Sequence, residues 1–255
     1  MYKYGIRDRS LKMGWQEAIE AAGKLGFEGL EIVVREEELD LLTTTAGREE
    51  VLGWTSAAGI QISSLSVAAF RLYKSAEGDP TVRAEAMEIV DKALRVAKLL
   101  NCAGILLPYF NRENIDVDAD EEARLIEDFR KISPVAEEAG IYICFETSFS
   151  SAQLKRICDG VGSDWVAVYQ DFANALSYGH DSVEILTSLP GETKMIHAKD
   201  TSQSMLGEGD VDFPACRQAV RDIGYEGWLV FETPSGEDPI ASAKLNLAFA
   251  KAAFD

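Results

Sequence analysis

Eight short apolar runs, spread along the whole chain and separated by helix-length segments, limit this sequence to very few folds. The runs are YKYGI (2–6), GLEIVV (29–34), IQISSLSV (60–67), AGILLPYF (103–110), IYICFET (141–147), WVAVYQDF (165–172), TKMIHAKD (193–200) and GWLVFET (227–233). Each has the length and apolar character of a strand. Between them the clearest helical patterns cover 83–100, 121–140, 212–224 and 241–254. Pro134 is expected to kink or interrupt the second, because it lacks an N–H and crowds the carbonyl four residues back. Asp212, Phe213 and Pro214 form a helix-start signal, and Gly224 a stop. Regular alternation of strand and helix predicts a parallel sheet covered by helices. An open doubly wound sheet normally carries a glycine-rich phosphate turn after its first strand, whereas this turn reads GIRDRSLKMG. Eight units therefore predict a closed α/β barrel, a single (β/α)8 TIM barrel over residues 1–255.

The 255 residues include 43 acidic and 25 basic side chains, for a net charge of −18. Nucleic-acid binding draws its affinity from Lys and Arg, so that class of partner is excluded. No stretch approaches the ~18 apolar residues of a membrane span, and the N-terminal MYKYGIRDRS has no apolar signal segment. Cys102, Cys144, Cys158 and Cys216 show no CxxC spacing. The expectation is a cytoplasmic protein with reduced thiols and no membrane contact, with homo-oligomerisation left open.

Barrel strands alternate between inward side chains and side chains that face the helices. In the fifth strand Ile141, Ile143 and Phe145 form the more apolar set and should meet the helices, so Glu146 points inward. The same reading turns Tyr169 and Asp171 inward on the sixth strand, Met195 and His197 on the seventh, and Trp228, Val230 and Glu232 on the eighth. Four metal-capable side chains thus stand at the C-terminal ends of four consecutive strands, where barrel enzymes keep their active sites. Their spacings of 25, 26 and 35 residues each equal one strand–helix unit. A buried carboxylate costs free energy unless it is paired. Three carboxylates and an imidazole suit Mn²⁺ first, with Mg²⁺, Co²⁺ and Zn²⁺ as alternatives.

The sequence also resembles the xylose isomerase-like barrel superfamily, in particular its sugar and sugar-phosphate isomerase/epimerase branch with the D-tagatose 3-epimerase type enzymes. The resemblance spans essentially the whole chain and is carried by GFEGLEI (26–32), FET (145–147), QDFAN (170–174), IHAKD (196–200), LGEGDVDF (206–213) and GYEGWLVFET (224–233). It implies that Glu146, Asp171, His197 and Glu232 are the metal ligands and that Glu146 and Glu232 are also the proton-transferring pair. Three positions depart from the ketose 3-epimerase pattern: Asn174 replaces a His, Ala152 a Glu and Gln203 an Arg. Those groups contact substrate hydroxyls, so free ketohexoses are expected to be poor substrates beside keto-cyclitols, keto-glycosides or phosphorylated sugars. The apurinic-site endonucleases of the superfamily need several more His ligands than His180 and His197, the two present in this chain.

The implied substrate is a small sugar or polyol carbonyl compound. A metal that polarises a carbonyl and stabilises an enediolate would let one glutamate remove the α-proton and the other return it. Return to the opposite face gives epimerisation, transfer to the neighbouring carbon gives isomerisation, and loss of a β-hydroxyl gives an inosose dehydratase-like lyase. A barrel that only binds a sugar is disfavoured by the intact glutamate pair. Secondary substrate-binding candidates are Lys199, Asn174, Glu31 and His180. Lys199 shares the parity of His197 and suits an enolate or phosphate, or else a rim salt bridge. Glu31 reads as a strand end able to bind a hydroxyl or simply to be solvated. His180 falls in a loop on the active face. The LGEGD segment (206–210) reads as a flexible loop with backbone N–H groups near the rim, and Trp228 and Tyr109 as packing or pocket wall.

Overall fold

A computed structural model describes residues 2–75, 78–110 and 116–254. Its strands are β1 (Lys3–Arg7), β2 (Gly29–Val34), β3 (Gln61–Val67), β4 (Gly104–Tyr109), β5 (Tyr142–Thr147), β6 (Val166–Asp171), β7 (Thr193–Ala198) and β8 (Trp228–Phe231). All pair in parallel in sequence order, and β1 closes the ring on β8 through Tyr4↔Leu229 and its neighbours. The helices are α1 (Asp8–Leu11), α2 (Trp15–Leu25), α3 (Glu36–Thr43), α4 (Thr45–Ala58), α5 (Arg71–Ser75), α6 (Pro80–Leu99), α7 (Ala119–Ala139), α8 (Ser151–Val161), α9 (Phe172–Ser177), α10 (Ser182–Ser188), α11 (Phe213–Asp222) and α12 (Pro239–Phe254). The predicted single (β/α)8 barrel is the observed fold.

Side-chain caps set the helix starts. Asp79, Asp118, Ser150 and Asp212 each accept a backbone N–H from the first turn of the helix that follows. The helix predicted over 121–140 does not break at Pro134; α7 runs through it. Proline removes the N–H that would bond the Arg130 carbonyl, and the Ser133 hydroxyl donates to that carbonyl instead, at 3.2 Å.

The main core lies between sheet and helices, and a smaller one plugs the barrel. Leu106, Cys144, Ala167, Tyr169, Met195, Trp228 and Val230 form the plug, which bears out the predicted inward faces of β5 to β8. Trp228 closes the bottom against Gly29, where a Cβ would stand 2.6 Å from the indole ring. Tyr109 is packing, stacked edge-on to Tyr73 and Phe149. The four cysteines are free and buried. Among the described residues no helix is long and apolar enough to cross a membrane.

Candidate active site

The plug leaves the C-terminal mouth of the barrel open, and the four strand-end side chains meet there. Glu146, Asp171, His197 and Glu232 each offer a ligand atom within 4.8 Å of the others. A bulge between Val168 and Tyr169 resets the register of β6 on β7, so that Asp171 stands directly opposite His197. Glu232 follows the last residue of β8, yet its N–H still continues the ladder to the Ala198 carbonyl at 3.2 Å.

His197 is the centre of the cluster and is fully buried. Its Nδ1 lies 3.3 Å from Glu146 Oε1, 3.2 Å from Glu232 Oε2 and 3.8 Å from Asp171 Oδ2. Asp171 divides its two oxygens: Oδ1 caps α9 by accepting the Asn174 N–H at 2.8 Å, and Oδ2 faces the cluster without a hydrogen bond. Glu232 divides likewise, with Oε1 held by the Arg7 guanidinium and Oε2 turned inward without a hydrogen bond.

The titration behaviour follows from this crowding. Burial pushes the Asp171 carboxyl up to about 7, against the opposing pull of Lys199. Burial would also raise Glu232, but His197, Arg7 and Lys199 outweigh it and hold that carboxyl well below the usual range. For His197 burial acts downward, and the surrounding carboxylates, Glu31 first, raise it well above its ordinary value. The imidazolium is therefore the countercharge of the cluster when no cation is bound.

Glu31 differs from its sequence reading. It is the third residue of a six-residue strand and fully buried, so it is neither a solvated strand end nor a group open to substrate. It accepts from the Ser64 hydroxyl at 2.7 Å and the Tyr169 hydroxyl at 2.8 Å, and its Oε1 is 3.1 Å from His197 Nε2. A carboxylate on Nε2 fixes the ring, so that on losing a proton Nδ1 can donate its lone pair toward the other three side chains of the cluster, an arrangement common around metal-binding histidines. Glu31→Gln is expected to weaken divalent-metal binding about 10- to 100-fold, read by competition with a chelator. Unchanged affinity would reduce Glu31 to a packing residue.

Two further sequence-predicted residues join the cluster. Asn174 donates from Nδ2 to Glu146 Oε1 at 2.8 Å and accepts from Lys199 Nζ at 3.2 Å. Lys199 Nζ is also 3.4 Å from Glu232 Oε2. His180 is not brought in; its Nε2 lies 3.0 Å from the Ser148 carbonyl, and it does not line the mouth cavity. Nor are the LGEGD amides available to a ligand. The buried Asp200 carboxylate accepts the N–H groups of Thr201, Gly207, Gly209 and Val211 at 2.8, 2.9, 3.0 and 3.2 Å.

The cavity above the cluster has a volume of about 540 Å³, within the range usual for small-ligand sites. Glu146, Asn174, Lys199 and Glu232 line one part of it, and Phe110 stacks on Tyr178 beside them with ring centroids 5.9 Å apart. The rest includes Ser66 and four arginines unread in the sequence: Arg7 at the end of β1, Arg9 in α1, Arg35 after β2 and Arg71 opening α5 after β3. Arg7 had a signal, since it extends the inward parity of Lys3 and Gly5 by one step.

Glu146, Asp171, His197 and Glu232 fit a divalent cation. Two of the cluster's carboxylate oxygens are buried without hydrogen bonds, a costly state that a cation relieves. The donor set of three carboxylates and one imidazole is suited to such an ion. A buried cluster of this kind can bind one divalent metal.

Known proteins resemble this chain over nearly its whole length. The L-ribulose-5-phosphate 3-epimerase UlaE of Escherichia coli (strain K12) is 26% identical over 255 residues, covering 93% of this chain and 89% of the relative. A putative counterpart from Shigella dysenteriae serotype 1 matches to the same extent. Among solved structures, D-psicose 3-epimerase with D-tagatose from Clostridium cellulolyticum H10 superposes with a TM-score of 0.84 at 19% identity, over 99% of both chains. The 3-keto-D-glucoside 4-epimerase YcjR from E. coli, in its apo form, does so with a TM-score of 0.83 at 17% identity, over 99% of this chain and 100% of that one. Residues 19–253 match the family described as xylose isomerase-like TIM barrel. With closed barrel topology and nearly the full length matched, the chain belongs to the xylose isomerase-like TIM barrel family.

Proposed function

We propose that the protein is a divalent-metal-dependent isomerase or epimerase of a small polyhydroxy carbonyl compound, with Glu146 and Glu232 as its acid–base pair. The observation that carries this reading is the convergence of four ligand atoms within 4.8 Å at the floor of a ligand-sized cavity, with both glutamates on its wall. The relatives and structural neighbours named above are sugar epimerases by name, which supports the same class.

Bound there, the cation supplies a Lewis acid that polarises a carbonyl and makes the neighbouring C–H acidic. Mn²⁺ suits the donor set first, then Mg²⁺, Co²⁺ or Zn²⁺. The chain's own groups do the rest. Glu232, on the cavity wall with Oε2 free of hydrogen bonds, is placed to take a proton from carbon. Glu146 comes from the other end of the β5–β8 arc and delivers a proton from its own side. Asn174 orients Glu146 through its side-chain amide. Lys199 stands between the ligands and the cavity with a charge to offset the oxyanion that develops.

The test is proton NMR of candidate ketoses in D₂O with Mg²⁺ as the ion. Deuterium is expected to enter at the carbon next to the carbonyl without loss of water. Loss of water would assign the site to a dehydratase, and no exchange with any ketose would remove the reading. Metal content is a second check. Protein loaded with Mn²⁺ should retain about one ion per chain by elemental analysis. A bound metal must displace the imidazolium proton of His197 throughout this range and, below about pH 7, the proton of Asp171 as well, so affinity should fall as pH drops and fall more steeply below that value. A slope that does not change across pH 7 would remove Asp171 from the ligand set.

A further inference from the structure

The metal-capable side chains come from β5 to β8, and the arc opposite them on the closed ring, β1 to β3, brings arginine to the same cavity. Arg7 is already engaged by Glu232, with its Nε 3.7 Å from Glu31. The other three are not engaged in this way. Among the described residues Arg9 has only long contacts, 3.9 Å to Asp8 and 4.0 Å to Glu38, and it is half exposed. Among the described residues, the side chains of Arg35 and Arg71 have no hydrogen bond or ion pair. Three exposed guanidinium groups around one cavity stand out in a chain of net charge −18.

Donor chemistry decides what such a wall accepts. A guanidinium has five N–H donors and no acceptor. A neutral polyol needs acceptors for its hydroxyl protons as well as donors, and these arginines offer none. An oxyanion is acceptor-only and matches the planar forks of Arg in two-pronged pairs. The floor of the cavity competes less for the arginines once a divalent cation adds to the charge of Arg7 and Lys199 in offsetting its carboxylates.

We propose that Arg9, Arg35 and Arg71 form an anion subsite that holds the terminal oxyanion, phosphate ester or carboxylate, of an acyclic sugar derivative. Its carbonyl end lies at Glu146 and Glu232, an orientation that rests on the isomerase reading above; the anion preference does not. A phosphate monoester fits best, because three forks offer more donors than the two oxygens of a carboxylate can take.

The experiment is calorimetric titration of the full chain, with the same divalent ion present throughout, using three five-carbon acyclic probes that carry no ketone: ribitol, ribonate and ribitol 5-phosphate. Ribitol 5-phosphate is expected to bind at least ~10-fold tighter than ribitol, in line with charge-assisted hydrogen bonds, with ribonate between them. The ratio of phosphate to neutral affinity should fall about 10-fold in Arg35→Gln and in Arg71→Gln, and partly recover in Arg35→Lys. Arg95→Gln, on the outer face of α6 where Arg95 pairs with Asp91, controls for the loss of one positive charge and should leave the ratio alone. Ribonate binding tighter than the phosphate would keep the subsite and assign it to a sugar acid. Equal affinity for ribitol and ribitol 5-phosphate, or a ratio untouched by both glutamine variants, would overturn the proposal. An anion preference in a protein that exchanges no ketose proton would sink the isomerase reading alone, and exchange without anion preference would sink the subsite alone.

Discussion

Glu232→Gln is expected to lower kcat by roughly 10³-fold, within the 10²–10⁴ range for a positioned general base, at saturating metal. Glutamine keeps the shape and one carbonyl oxygen, so the Arg7 contact has a remaining acceptor. It also removes the repulsion between Glu232 and Asp171, which offsets part of the lost ion pairs with His197, Arg7 and Lys199. The unfolding temperature should therefore move by no more than ~4 °C, about 1 kcal/mol for a chain of this size. Metal content measured beside activity separates the two roles of the residue. A variant that turns over within 10-fold of the parent would take Glu232 out of the proton-transferring pair. One that unfolds would make it structural.

Asp200→Ala is expected to have the largest effect on stability, although Asp200 touches neither metal ligand atoms nor the mouth cavity. Its carboxylate gathers four backbone N–H groups from the loop after β7. Orphaning a buried donor costs about 1–3 kcal/mol each, less where water can enter. The sum should be about 3–5 kcal/mol, or a fall of roughly 6–20 °C in Tm. Gly209→Ala attacks the same contact from the loop side, because its Cβ would stand 2.3 Å from Asp200 Oδ1. If Asp200→Ala melts within 2 °C of the parent, the loop is held by other contacts, such as Leu206 N–H on Asn246.

The parts of the site that were legible in the sequence are those that obey strand periodicity. Glu146, Asp171, His197 and Glu232 stand at or just past the C-terminal ends of consecutive strands, and a period of two decides which way each points. Glu31 obeys that period too, but its partners Ser64, Tyr169 and His197 arrive from three other strands. Only the closed barrel shows that it faces the plug rather than the rim. Arg9, Arg35 and Arg71 lie beyond the strand ends, where no period governs direction and the turn into each helix sets where a long side chain goes. Of the two outcomes expected at Pro134, interruption does not occur, because the carbonyl left without an N–H is answered by a neighbour, the Ser133 hydroxyl. The LGEGD glycines read as looseness, yet two of their amides close on a single carboxylate.

The rim is split, with the candidate ligands on the β5–β8 arc and the arginines on the β1–β3 arc. Such a split lets selection revise the turns after β1 to β3 apart from the ligand strands, with Arg7 and Glu31 excepted because they contact Glu232 and His197. Under the proposed function, substitutions in those turns would retune what the cavity accepts while β5 to β8 keep the proposed acid–base pair, since the shared floor is fixed by Glu31 and the plug rather than by the arginine-bearing turns. A duplicated copy of such a chain could drift from one sugar derivative to the next through loop changes alone, without passing through an inert intermediate.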